Sequence, residues 1–180
     1  RLSRRHGWRA YGPDPEAALE KQFADSCRSG TGAGQQWLNR RFAPAKREIE
    51  LARGYLRIES QRLGKRLQVS WDIDHLPTDA RLPALLLQPL LENAVYHGIE
   101  PATAGGAITV SGRYRDGVVN IAIRNTLPRA GTTAHRNGNQ MAQQNVRERL
   151  DAAFGDQAGL VVGRVDGCYQ VRLYFPVTSA

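Results

Sequence analysis

The sequence predicts an α+β fold: a two-layer α/β sandwich, with a mixed sheet of about five strands covered on one face by about three helices. Three observations carry this expectation. Two Asp-Gly pairs, Asp116-Gly117 and Asp166-Gly167, each separate alternating apolar runs, the pattern of a tight β-hairpin. Three other stretches have the length and apolar spacing of helices. Helices and strands do not alternate regularly, which argues against a doubly wound parallel sheet.

The elements follow in order. From Pro44, Ile49, Leu56 and Leu63 recur at intervals of seven, with Ala52, Tyr55 and Ile58 between them. This lays an apolar stripe along a helix of about 20 residues, and Gly64 stands where its C-terminus needs a glycine. Leu67, Val69, Trp71 and Ile73 alternate with polar residues, which predicts a half-buried strand. Pro83 suits the first turn of a second helix running to His97 and ended by Gly98, with a kink or restart at Pro89. Residues 108–114 and 118–125 form the first predicted hairpin. A polar loop covers 126–138. A helix from about Gln140 to Phe154 and a closing hairpin of 160–165 with 169–176 complete the order.

Composition sets the outer limits. The chain has 180 residues, 41% hydrophobic and 23% charged, near globular averages. This length predicts one domain with a helical appendage at most. Residues 1–43 read as a weakly structured leader or the remnant of a longer helical region, and 44–180 as the folded domain. The longest apolar run, Leu85-Leu86-Leu87, is far short of the roughly 20 residues of a membrane span, and no signal peptide is read. Two cysteines, Cys27 and Cys168, make no disulfide framework and no zinc motif, so a cytoplasmic setting is expected. The net charge of +8 admits nucleic acid, anionic membrane surfaces or phosphorylated small molecules as ligands. Four arginines in residues 1–9 hold much of the excess, so direct nucleic-acid binding is not expected.

The stretch with the most chemistry is Leu87-Gln88-Pro89-Leu90-Leu91-Glu92-Asn93-Ala94-Val95-Tyr96-His97-Gly98. Glu92 with Tyr96, and Asn93 with His97, are i,i+4 pairs on adjoining faces. An acid beside an amide can offer oxygen ligands to Mg²⁺, which reaches proteins through one or two side chains plus substrate phosphates. The same residues also suit a core helix whose polar end is merely solvated.

The order of motifs selects between these readings. The stretch resembles the N-box of the GHKL ATPase superfamily, in the form found in AlgZ/LytS-type sensor histidine kinases. Upstream, residues 48–67 resemble the helix preceding the ATP-binding domain in that family. Downstream, Asn145-Val146-Arg147-Glu148-Arg149-Leu150, Phe154-Gly155 and Phe175-Pro176 also fit. The resemblance spans about residues 46–177 and implies the Bergerat (GHKL) ATPase fold. It implies ATP and Mg²⁺ as cofactors, with Asn93 holding the metal and Glu92 as the catalytic residue that polarises or deprotonates the acceptor. Tyr96 and His97 would lie near the phosphates or ribose.

By the same resemblance, Arg124-Asn125-Thr126-Leu127-Pro128 occupies the place of the first glycine box, usually Asp-x-Gly-x-Gly. Asn125 stands where an aspartate accepts from the adenine amino group, and both glycines are missing. An amide oxygen can still accept that bond, without the strengthening a charge provides. Residues 129–138 resemble a short ATP lid. Gly138-Asn139-Gln140-Met141-Ala142 fills the second glycine box, so Gly138, Asn139 and Met141 are expected at the nucleotide. A glycine before a helix lets backbone amides approach phosphate. Arg147 and Arg149 read as solvated helix-face charges.

The family's phosphoacceptor segment, Pro-His-Phe-Leu-Phe-Asn, does not occur in these 180 residues. The acceptor histidine is therefore expected on dimerisation helices outside this sequence. The partners implied are those helices and a response regulator, often of the LytTR type, and full-length relatives are membrane-anchored. The alternative is a degenerate GHKL domain acting as a non-catalytic docking or regulatory module.

Overall fold

The computed structural model describes residues 42–77, 80–128 and 136–177, the first five of the last stretch by backbone alone. Most of the expected leader and most of the expected lid lie outside the described residues. Element order is β1 (Phe42–Pro44), α1 (Ala45–Leu63), β2 (Leu67–Asp72), β3 (Arg81–Pro83), α2 (Gln88–Ala94), a π-helical turn (Val95–Ile99), β4 (Gly106–Arg115), β5 (Val118–Thr126), α3 (Arg136–Phe154), β6 (Gly159–Val165) and β7 (Cys168–Pro176).

Five strands form one sheet in the order β2-β4-β5-β7-β6. β2 runs parallel to β4 and every other pairing is antiparallel, so the sheet is mixed as expected. The two Asp-Gly turns hold: φ is 51° at Asp116, 80° at Gly117, 50° at Asp166 and 74° at Gly167. Positive φ at both central residues gives the turn whose twist matches the flanking strands. Inward-facing Ile108, Val110, Val119, Ile121, Ile123, Val171, Leu173 and Phe175 share one core with the helices. The core takes Ile49, Ala52 and Leu56 from α1, Leu90, Leu91 and Ala94 from α2, and Val146 and Leu150 from α3. Three helices therefore cover one face, the arrangement that strand alternation and helical stripes require.

Several boundaries differ from the sequence expectation. Pro83 does not open a helix. It ends β3, paired opposite Phe42 of β1 in a separate two-stranded sheet. Three-residue strands that each end in proline carry no readable period, and a residue without an N–H fits an edge strand. α2 begins at Gln88, which puts Pro89 in its first turn and removes the expected kink. α3 begins at Arg136, four residues before Gln140. Ile58 lies off the buried stripe of α1, 63% exposed.

Candidate functional site

The site is built around α2 and the turn that follows it. Leu90, Leu91 and Ala94 anchor α2 in the core and leave Glu92 exposed and Asn93 half-buried on its other faces. The Asn93 Nδ2 atom is buried and has no hydrogen-bond partner among the described residues. Such an atom is costly to leave unmatched, and a half-turn of the amide exchanges donor for acceptor at that position. A polar ligand group would satisfy it.

The chain then widens into the π turn, where the Glu100 amide donates to the Val95 carbonyl at 3.0 Å. Single π turns in α-helices are common at functional sites. Tyr96 and His97 stand edge to face, 4.9 Å between ring centroids, with Tyr96 53% exposed. Gly98 explains how the turn meets the sheet. A Cβ there would lie 2.2 Å from Asn125 Nδ2, so only glycine lets the turn settle against the end of β5.

Asn125 itself is buried, and its Nδ2 donates to the Thr126 carbonyl at 2.9 Å. That bond fixes the amide's orientation at the strand end. The Thr126 hydroxyl accepts from the Ala107 amide at 3.1 Å, tying the exit of β5 to the start of β4. Asn93, the π turn with Tyr96 and His97, and Asn125 therefore form one locality. Gly138 and Asn139 fall within the first turn of α3 rather than before it, and their side chains lie outside the described residues. Met141 stands on α3, 76% exposed.

Residues that the sequence reading passed over also build this region. Glu48 of α1 is buried, and its carboxylate accepts from the amides of Leu85 at 2.6 Å, Leu86 at 2.9 Å and Leu87 at 3.4 Å. These amides immediately precede α2. Leu85 takes a φ of 58°, a left-handed backbone that side chains with a Cβ rarely adopt. Arg149 is not a solvated charge: its guanidinium donates to the carbonyls of Ala84 and Leu85. A signal for Glu48 was present, an acid among Ala45, Ile49, Ala52 and Leu56 on the buried stripe.

Electrostatics link α1 and α2 as well. The Tyr55 phenol is pushed up to about 12, first by burial and then by the Glu59 and Glu92 carboxylates. Glu92 also accepts from Gln88 Nε2 at 2.9 Å. Past the π turn, Arg62 of α1 pairs with both Glu59 and Glu100. Among the described residues no cluster of three or more His, Cys, Asp or Glu side chains is placed to hold a metal ion.

The fold is that of histidine kinase catalytic domains. Solved structures of that kind superpose on the chain. The nucleotide-free catalytic domain of histidine kinase ThkA matches with a TM-score of 0.55 at 13% identity, covering 76% of this chain and 95% of that one. The cytoplasmic segment of histidine kinase QseC gives 0.53 at 13%, covering 96% and 100%. ThkA has also been solved in complex with the response regulator TrrA, matching at 0.53 and 12% identity over 76% of this chain and 41% of that one. These likenesses show the fold.

Sequence narrows the class to sensor histidine kinases, LytS among them. The sensor histidine kinase YpdA of Escherichia coli K12 is 33% identical over 138 residues, 73% of this chain and 24% of that protein. BtsS of the same strain is 35% identical over 139 residues, 75% of this chain and 24% of that protein. The sensor protein LytS of Oceanobacillus iheyensis is 28% identical over 147 residues, 75% and 25% of the two chains. The chain thus spans about a quarter of the length of the curated relatives it matches. No protein-family model matches it.

Proposed function

We propose that residues 42–177 bind MgATP and serve as the catalytic domain of a two-component sensor histidine kinase, delivering the γ-phosphoryl group to a histidine on dimerisation helices outside this sequence. The observation that carries this reading is Asn93: a buried Nδ2 atom without a partner among the described residues, on the helix that also holds Glu92, beside a π turn packed on Asn125. An Asn93 oxygen together with nucleotide phosphates is a donor set that suits Mg²⁺, which takes few protein ligands. The ion's contribution would be to neutralise charge on the phosphates.

The chain's own residues do the rest. Asn125 offers its amide to the adenine amino group, held in place by its bond to Thr126. Tyr96 and His97 flank the phosphate and ribose side. Glu92, exposed and bonded to the neutral Gln88 amide, takes the proton of the incoming imidazole. Gly138, Asn139 and Met141 contribute from the start of α3, where a helix N-terminus favours anions. The acceptor's phosphoryl group then passes to a response regulator, of LytTR type in this reading. The full-length protein would be held at the cytoplasmic face of the membrane. Among the described residues no helix is long and apolar enough to cross one.

Isothermal titration of the full chain with MgATP is the test. The parent binds, chelating Mg²⁺ weakens binding, and Asn93→Ala weakens it about tenfold or more, the loss expected for one charge-assisted contact. Asn93→Ala binding as the parent does removes that residue's assignment. A parent that binds no nucleotide favours the docking module, with Asn125 and its missing glycines as the cause.

A further inference from the structure

Helix α2 does not set its own starting point. Among its first residues there is no capping side chain on the helix itself. The amides of the turn that leads into it, Leu85 to Leu87, are instead taken by Glu48, a residue of α1, 37 to 39 positions earlier in the chain. Successive amides converging on one anion form a nest, and here the anion is a buried carboxylate of the protein. The turn is gripped from the other side by Arg149 of α3, which binds the carbonyls of Ala84 and Leu85. Leu85 is held in left-handed backbone between the two. A second tie joins α1 to the far end of the segment, Arg62 to Glu100, but it is exposed, and exposed pairs hold little.

We propose that Glu48 is a positioning residue: its carboxylate fixes α2, and with it Glu92 and Asn93, to α1, so that a displacement of α1 is passed to the nucleotide site. The placement of α2 stands on geometry alone; its consequence for nucleotide rests on the reading above. Glutamine keeps the size of Glu48 but offers one acceptor oxygen, and turns an NH₂ group toward backbone donors. The nest is then left partly unmatched.

The test is hydrogen exchange on the nucleotide-free full chain, followed by MgATP titration of the same samples. In Glu48→Gln, the amides of residues 85–99 should exchange at least about tenfold faster, while those of β4, β5 and β7 keep parental rates. MgATP affinity should fall about fivefold or more, and Glu48→Asp, which retains both oxygens, should recover part of each effect. Should Glu48→Gln not fold, Glu48→Asp alone carries the test, with smaller changes in the same segment. Unchanged exchange at 85–99, or loss spread equally over the sheet, overturns the proposal. So does affinity within twofold of the parent despite local loosening. If the parent binds no MgATP yet the exchange change stays confined to 85–99, the positioning stands and the nucleotide reading falls.

Discussion

A Cβ on Gly98 would meet Asn125 Nδ2 at 2.2 Å and Asn125 Cγ at 2.9 Å, whereas a Cβ on Gly117 would meet nothing within 4 Å. The second glycine is needed for its φ of 80°, the first for space. Their alanine variants should therefore separate. Gly117→Ala is expected to lower stability by about 1 kcal/mol through backbone strain and to leave MgATP titration unchanged. Gly98→Ala must push Asn125 off the Thr126 carbonyl or open the π turn. It should lose about 1–3 kcal/mol as an overpacked site and weaken MgATP binding along with it; a urea melt and a titration on each variant read both quantities. The grouping of Asn93 with Tyr96 and His97 was legible because they follow one another on a single helical segment. The contact of Gly98 with Asn125 was not, since they stand 27 positions apart across a hairpin turn, and no periodicity reports which strand end a helix meets.

Among the elements, hairpins were the easiest to read, because Asp-Gly determines its own turn from two adjacent residues. The start of α2 was misplaced at Pro83 because its determinant, Glu48, lies on another helix, and the β1–β3 pairing was missed because both strands are three residues long and end in proline. α1 itself was legible from its stripe, yet the stripe could not show that Tyr55 is sheltered near the Glu59 and Glu92 carboxylates. That environment has a pH signature. Tyr55's folded value is about 12 against an ordinary 10.0, with burial the leading cause. A raised value means the neutral phenol is favoured in the fold, so its contribution is complete below pH 10 and is lost as pH rises toward 12. Urea midpoints measured from pH 9 upward should fall more steeply for the parent than for Tyr55→Phe across that interval. Parallel curves would mean that the phenol is no more sheltered in the fold than in the unfolded chain.

At the scale of the whole molecule, the buried side chains of α1, α2, α3 and the sheet form one cluster, from Ala45 to Phe175. The architecture was legible because two hairpins and three stripes admit few arrangements that hide every apolar face. Gly138, Asn139 and Met141 were assigned only by resemblance, since a polar stretch at the start of a helix carries little physical signal of its own. A single core also has a thermodynamic consequence. α2 packs in the same cluster as the sheet, so a ligand held by Asn93 stabilises the folded unit against global unfolding. At about 100 times its Kd, MgATP should add about 2.7 kcal/mol, a rise of roughly 5–10 °C in Tm for a domain of this size. With a net charge of +8, simple attraction for a polyanion offers a rival cause, and magnesium tripolyphosphate separates the two. Charge alone would let tripolyphosphate match MgATP, and both shifts would shrink with added salt. Recognition of adenine through Asn125 requires a larger shift from MgATP, persisting at high salt and cut to about half or less in Asn93→Ala. Equal shifts from both ligands would leave the site's donors in place but remove the nucleotide from the reading.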